Sequence, residues 1–403
     1  MKKRSIVLVC GGSGGHINPA ISLYEELNIY DPDLVINFFS DSRGQVYLEE
    51  LDNVNIKRIA SSSPFRANIN SKLFFLFYLS IGLIQSIYHL IRFRPRLIIC
   101  FGGYTAFPTA IAAYLLKIPV IIHEQNAVMG RANRLISYFA ELILLSFKNT
   151  ENIKLKQKEK TVFTGLPLRD RITKYSSNEN KEDNSISILV LGGSQGAKIF
   201  TDLIPDTLRY LSKEIRDRLK IYQNCVSDDE VLLEKKYREI GVNFDIRPYF
   251  SNIGSVMANA DIIISRAGAN TIFEICSIGK PFILVPLQNS IDDDQFKNAK
   301  FFFDKGACLI FNEVTSNPKM MSNMIINLIS SKSESTRMAN KYIGAGLGHA
   351  ENTSEASNIF GLLCGNPAFQ GCGGRPSQPG CSPGRPTRRV PQGWPSWPVG
   401  RPE

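Results

Sequence analysis

The sequence predicts an α/β protein of two similar lobes, each a parallel sheet covered by helices, and three observations predict it. Short β-branched runs followed by glycine turns and helical stretches recur along the chain, the pattern of βαβ units around a buried sheet. That pattern stops in a polar stretch at 174–184, whose one apolar residue is Tyr175, and then begins again. The second beginning repeats the first: Leu8-Val9-Cys10-Gly11-Gly12-Ser13-Gly14-Gly15 aligns with Leu189-Val190-Leu191-Gly192-Gly193-Ser194-Gln195-Gly196 at a constant offset of 181. Two Rossmann-like lobes with parallel sheets facing a central cleft are the simplest architecture with these properties.

The first run, 6–10, follows Met1, Lys2, Lys3 and Arg4. The charges suit a signal peptide, but the apolar stretch ends at Gly11, too early for one, so it reads as a first strand. Further strands are expected at 34–39, 97–101, 119–123 and 142–145, and after the restart at 186–191, 219–223, 261–265, 281–286 and 307–311. A chain of 403 residues exceeds one ordinary core. The expected division is 1–165 for the N-terminal lobe, 166–363 for the C-terminal lobe and 364–403 for a tail. The tail holds 9 of the 21 prolines, both tryptophans and no lysine, a composition expected to be disordered and foreign to the fold.

The formal charge is +10, of which five arginines and one glutamate in the tail supply +4, leaving +6 on the body. A modest positive excess suits phosphorylated substrates or the anionic inner leaflet of a membrane. No zinc-finger spacing, helix-turn-helix signature or RNA-binding aromatic motif points to nucleic acid. The body's five cysteines, at 10, 100, 225, 276 and 308, lie in or beside apolar runs without a CxxC pair, as reduced core thiols of a cytosolic protein do.

The segment 73–91 departs from the pattern: it is nearly continuously apolar and is flanked by Lys72, Arg92, Arg94 and Arg96. Ser80, Gly82, Gln85, Ser86 and His89 argue against a membrane-spanning helix. Two readings remain, a buried crossover helix and an apolar patch with basic flanks lying on a membrane surface.

A strand that enters a glycine-rich turn and then a helix presents N–H groups and a positive helix end, which together suit phosphate. Both turns qualify, although glycines also serve tight geometry alone. His16 separates them, because the second copy has Ala197 there, so the turn does not demand histidine. A helix N-terminus disfavours imidazolium, which leaves either a neutral ring able to accept a proton or a ring that donates a hydrogen bond to phosphate.

Several motifs occur in order: GGSGGHINPA near the start, GGY at 102–104, PVIIHEQN at 119–126, GRAN at 130–133, TGLPLR at 164–169, GGSQGA at 192–197, SRAGANTIFE at 265–274 and DQFKNA at 294–299. Together they resemble the MurG family over about residues 1–360. The resemblance implies the GT-B glycosyltransferase fold and an inverting transfer. It implies UDP-N-acetylglucosamine as donor, mainly on the C-terminal lobe, and lipid I as acceptor. It implies a peripheral enzyme on the cytoplasmic face of the plasma membrane, with no metal and no tightly bound cofactor. Carried over by motif position, Ser13, Gly14, Gly15, Asn126, Arg169, Ser194, Phe250, Ala269, Asn270, Thr271, Ile272, Phe273, Glu274 and Gln295 fall where the family contacts its UDP-sugar.

The chemistry of these residues suits that use. Glu274 can accept two ribose hydroxyls while the 269–271 amides face a diphosphate. Arg169 can fork onto phosphate oxygens. Asp294 and Gln295 suit sugar hydroxyls, and Phe250 would act through its backbone. The run Asp292-Asp293-Asp294 reads as a polar loop rather than a metal site. His16 is the first candidate base and Glu124, at a strand end facing the cleft, the second. On the acceptor side stand Gly102, Gly103, Tyr104 and Thr105. Where the family usually continues GGY with a serine and a small residue, this chain has Thr105, Ala106 and Phe107, and where it has TGNP this chain has Leu166, so the resemblance does not carry over an acceptor-pyrophosphate contact by a hydroxyl at 106. Rival readings are another UDP-sugar enzyme of this fold, or a dinucleotide-binding protein, for which Asp31, Asp33 and Asp41 lie near the position of a ribose ligand.

Overall fold

Strand and helix alternate along the chain, first through β1 (Ser5–Val9), α1 (Gly14–Tyr30), β2 (Val35–Ser40), α2 (Ser42–Leu48), β3 (Asn55–Arg58), α3 (Ile69–Phe93), β4 (Ile98–Cys100), α4 (Ala106–Leu115), β5 (Val120–Glu124), α5 (Arg131–Ile136), β6 (Leu142–Leu145), α6 (Leu155–Lys158) and β7 (Thr161–Phe163). The second series is β8 (Ile186–Leu191), α7 (Ile199–Leu208), α8 (Lys213–Arg216), β9 (Leu219–Asn224), α9 (Ser227–Ile240), β10 (Asn243–Arg247), α10 (Ile253–Asn259), β11 (Ile262–Ser265), α11 (Ala269–Ile278), β12 (Phe282–Leu284), α12 (Asp294–Phe303), β13 (Leu309–Ile310) and α13 (Pro318–Ser330). The computed structural model describes residues 4–341 except 50, 52–53, 63–68, 170–171, 173, 176–183, 194–197, 226, 332, 334–335 and 339–340. Most of the expected linker, Ser194 and the whole tail fall outside the described residues.

The strands form two parallel sheets, ordered β3-β2-β1-β4-β5-β6-β7 and β10-β9-β8-β11-β12-β13. In each sheet the order reverses beside the strand that carries the glycine-rich turn, between β1 and β4 and between β8 and β11. Ligands of open α/β sheets bind at such reversals, outside the carboxyl ends of the strands. The central strands are apolar throughout because helices cover both faces: Val7, Leu8 and Val9 have no exposure, nor do Ile263 and Ile264.

The lobes meet through an apolar contact. Phe147, which follows β6, lies edge-on to Phe273, Phe301 and Phe302 of the second lobe at centroid distances of 5.3, 5.0 and 6.0 Å. Ala127 and Leu166 join the same buried cluster. A fully buried phenylalanine is worth about 2 kcal/mol or more, so this contact fixes one lobe on the other.

The five body cysteines are free and buried, and burial pushes the thiols of Cys10, Cys100 and Cys308 far up. Helix α3 packs inward through Leu83, Ile87, Leu90 and Phe93 together with a few small and polar residues. Gln85 Oε1 accepts from Ala60 N at 2.8 Å, Ser86 Oγ lies 3.1 Å from Thr109 Oγ1, and a Cβ on Gly82 would meet Ala60 O at 2.2 Å. Its outward side carries Phe74, Leu76, Phe77, Tyr78, Ile84, Tyr88 and Ile91, each exposed by two-fifths or more. Both readings of this segment describe part of it: one face packs on the core through Leu83, Ile87, Leu90, Gln85 and Ser86, and the other leaves large apolar side chains in the open. By length and composition the stretch Phe74–Phe93, with a mean hydropathy of 1.7, is sufficient to cross a membrane.

Candidate active site

Two loops of the first sheet interlock at its reversal point. Gly12 adopts φ +88°, and Asp41 at the end of β2 accepts from the amides of Gly12 and Gly44 at 3.1 and 2.8 Å. Gly102 and Gly103 follow β4 with φ of +103° and +80°, a region open to glycine. A Cβ at Gly103 would lie 2.7 Å from Gly11 O, and one at Gly102 would lie 2.9 Å from His16 Cε1. The GGY loop thus forms a wall against the His16 ring. His16 itself is half-buried in the first turn of α1, with Nδ1 3.2 Å from Gln125 Oε1.

The second sheet presents its own reversal point. Gly193 has φ +79°, and Asn224 holds this turn, accepting from Gly192 N at 2.7 Å and donating to Gly193 O at 3.2 Å. A neutral amide therefore does in the second turn what the Asp41 carboxylate does in the first. Beside it, α11 starts after Gly268 and ends at Gly279 in the left-handed conformation. Asn270 and Thr271 are half-buried at the start of α11, whereas Ala269, Ile272, Phe273 and Glu274 are buried. Glu274 Oε1 accepts from Arg169 Nε and Nη2 at 2.9 and 2.7 Å.

The start of α11 meets the first turn across the cleft. Asn270 Nδ2 donates to Gly14 O at 3.0 Å and lies 3.3 Å from Gly15 O. Buried Asn298 of α12 accepts from Ala127 N at 2.8 Å and donates to Asn126 Oδ1 and Ala267 O at 3.1 and 3.2 Å. Asp292, with φ +58°, pairs with Arg134 and, at 3.5 Å, with Arg131. A cavity of about 560 Å³ opens next to them between α3, α4 and α5, lined by Phe75, Leu79, Tyr104, Phe107 and Leu135 and by the two arginines.

The model of the glycosyltransferase family 28 N-terminal domain matches residues 6–145, and that of the C-terminal domain matches 187–354. A protein of Rickettsia bellii named UDP-N-acetylglucosamine–N-acetylmuramyl-(pentapeptide) pyrophosphoryl-undecaprenol N-acetylglucosamine transferase is 36% identical over 362 residues, covering 85% of this chain and 99% of that one. The chain belongs to the MurG family. A Wolbachia protein from Culex pipiens with the same name is 32% identical, over 83% of this chain and 93% of its own. The crystal structure of Acinetobacter baumannii MurG superimposes with a TM-score of 0.69 at 25% identity, covering 90% of this chain and all of that one. The GT-B fold follows from the two family 28 domains and this likeness.

Within this MurG-family fold, most of the expected site residues surround one cleft. Ser13 caps α1 through its extended backbone and is exposed, with Gly14 and Gly15 in the first turn. Asn126 is fixed between Glu124 and Asn298. Gln295 Oε1 accepts from Leu287 N at 3.0 Å and Asp294 Oδ1 from Gln295 N at 2.7 Å, so both are held in the loop that begins α12. Phe250 is buried under the Arg247 guanidinium, consistent with a backbone role alone. The side chains of Ile272 and Phe273 lie in the core, which leaves only their amides to a ligand.

Two expectations need correction. Glu124 is 1% exposed, and its oxygens accept from Asn126 N at 3.0 Å, Gly130 N at 2.9 Å and Asn133 Nδ2 at 2.8 Å. A carboxylate enclosed by donors in this way braces the 124–133 loop and is not placed as a base. Thr105 is likewise fully buried, with Oγ1 3.2 Å from Ser61 Oγ, so it supports the Gly11 turn and does not face an acceptor. Sequence reasoning missed Gln125, Asn298, Arg131 and Arg134. Gln125, Arg131 and Asn298 stood within the motifs PVIIHEQN, GRAN and DQFKNA without a role assigned to them, and Arg134 lies in none of these motifs.

Proposed function

We propose that this chain moves N-acetylglucosamine from UDP-N-acetylglucosamine to the 4-hydroxyl of the N-acetylmuramyl residue of lipid I, giving lipid II and UDP. The observation that carries this reading is the meeting of α11 with the His16 turn through Asn270. A diphosphate at the start of α11 has its sugar next to His16. The donor belongs on the second lobe for an electrostatic reason as well, because Asp41 already sets a carboxylate on the first turn whereas neutral Asn224 holds the second. Glu274 accepts from the ribose hydroxyls and Arg169 orients that carboxylate. Ser194 contributes to the diphosphate site by its motif position.

The acceptor enters from the first lobe. Its polyprenyl end finds an apolar environment in the cavity lined by Phe75, Leu79, Tyr104 and Phe107, which continues onto the exposed face of α3. That face, with Arg92, Arg94 and Arg96 at its end, rests on the anionic cytoplasmic leaflet and makes the enzyme peripheral. His16 removes the proton of the attacking hydroxyl while O4 bonds to C1 and UDP leaves from the opposite face, so the configuration inverts. Helix ends balance the leaving diphosphate, while Arg169 is engaged with Glu274.

The test is UDP release by residues 1–363 with UDP-N-acetylglucosamine and a soluble lipid I analogue. Release that requires the analogue and yields a disaccharide product supports the reading. Conversion of the sugar nucleotide without any acceptor sinks it in favour of an epimerase of the same fold.

A further inference from the structure

A line of hydrogen bonds runs from the interior to the cleft. His123 on β5 has no exposure; its Nε2 lies 3.2 Å from Gly165 O and its Nδ1 3.1 Å from Gln125 Nε2. Gln125 Nε2 is also 2.9 Å from His123 O, and Gln125 Oε1 is 3.2 Å from His16 Nδ1. Gln125 is 1% exposed, so water does not supply alternatives.

The direction of this line follows from its carbonyls, which only accept. Gly165 O requires the His123 proton on Nε2, which leaves Nδ1 as an acceptor. His123 O and His123 Nδ1 both require the NH₂ of Gln125, so its amide has one allowed orientation, and the carbonyl oxygen is left facing His16. That oxygen cannot donate. His16 therefore carries its proton on Nδ1, and the neutral ring has its lone pair on Nε2, away from Gln125. The Gly102 backbone, too close for any Cβ, keeps the ring in this orientation.

We propose that Gln125 is a positioning residue that selects the Nδ1–H tautomer of His16, with His123 as the anchor that orients Gln125. The role in catalysis rests on the reading of His16 as base. In the transfer, the acceptor hydroxyl proton passes to Nε2 as the O4–C1 bond forms. The C1–O bond to UDP breaks and its electron pair leaves with the diphosphate. The resulting imidazolium keeps its Nδ1–H on the Gln125 carbonyl. Burial lowers the His123 ring to about 4, opposed in part by the Gly165 carbonyl, so at neutral pH its Nδ1 keeps the lone pair the line needs. Glu124, the nearest carboxylate in the chain, is turned to Gly130 and Asn133 and does not compete for the His16 proton.

The experiment is ¹⁵N NMR of histidine-labelled enzyme, with the His16 signals assigned from a His16→Gln sample. We expect Nδ1 to be protonated and Nε2 unprotonated in the wild type. Gln125→Met is expected to move the proton to Nε2 and to lower kcat about 100-fold, within the range a placed base contributes, with UDP affinity retained. Gln125→Glu, which again offers Nδ1 an acceptor, restores the tautomer and about tenfold of the lost rate. A wild-type ring protonated on Nε2 overturns the proposal without any variant, and so does a Gln125→Met ring that keeps its proton on Nδ1. A tautomer that switches with no change in kcat upholds the role of Gln125 and overturns the base reading of His16.

Discussion

Arg169 donates twice to one oxygen of Glu274, from Nε at 2.9 Å and from Nη2 at 2.7 Å, with side chains 12% and 6% exposed. The pair joins a loop at the lobe boundary to the helix that faces the cleft. An ion pair this enclosed costs more to break on one side than to replace on both. Glu274→Gln is expected to raise the KM for UDP-N-acetylglucosamine about 10- to 100-fold, the worth of a hydrogen bond to a charged group, with a smaller effect on kcat. Arg169→Met is expected to lower Tm as well, because it leaves the carboxylate buried without its cation. Steady-state kinetics and thermal melts check both.

Removing the candidate base gives a different signature. His16→Ala is expected to lower kcat by about 10²- to 10⁴-fold while the calorimetric Kd for UDP stays within about twofold. Near-normal kcat in this variant removes His16 from the chemistry.

His123 links pH to stability. Its ring titrates at about 4 when folded against 6.5 when free, chiefly because it is buried. Between those values the unfolded chain binds the extra proton, so this residue makes the fold less stable as pH falls from 6.5 to 4. The full effect is about 3 kcal/mol at 1.36 kcal/mol per pH unit, and it is absent above pH 6.5. Denaturant melts across this range are expected to show the loss in the wild type and a shallower dependence in His123→Gln.

Asn298 makes three hydrogen bonds at zero exposure, two of them between the lobes. Asn298→Leu keeps the volume and leaves an amide and two carbonyl-type oxygens without partners. The expected cost is about 3 kcal/mol or more, read as a lower urea midpoint.

The outward face of α3 is expected to bind membrane. Phe74→Ser combined with Phe77→Ser removes two side chains more than three-fifths exposed, each worth about 1.5 kcal/mol on insertion. Partition onto anionic vesicles is expected to fall about 100-fold, with UDP affinity unchanged.

Much of the fold was legible because its central strands are buried on both faces and read as plain apolar runs. The strands the sequence did not yield are β3, β7 and β10, which sit at sheet edges. Their residues are half-exposed and mixed, as in Asn55-Ile56-Lys57-Arg58, so no run marks them. In the cleft, the glycines and His16 stood out through comparison of the two copies. Asn298 and the Asp292 pairs did not, because their partners lie more than 150 residues away and exist only once the lobes dock. Glu124 misled for a related reason: an acidic residue at a strand end suggests chemistry, and only the path of the following loop reveals how many donors surround it.

The contrast between the two faces of α3 sets which substitutions each of its positions can tolerate. Gly82 lies against a backbone oxygen and Ser86 against a buried hydroxyl, so even an added methyl group at Gly82 displaces the chain at Ala60. Phe77, Ile84 and Tyr88 touch no such constraint and can exchange among apolar side chains of quite different shape. Among relatives, variation along this helix should therefore follow a helical period in which the outward apolar positions drift while Gly82, Gln85, Ser86 and Leu90 stay fixed.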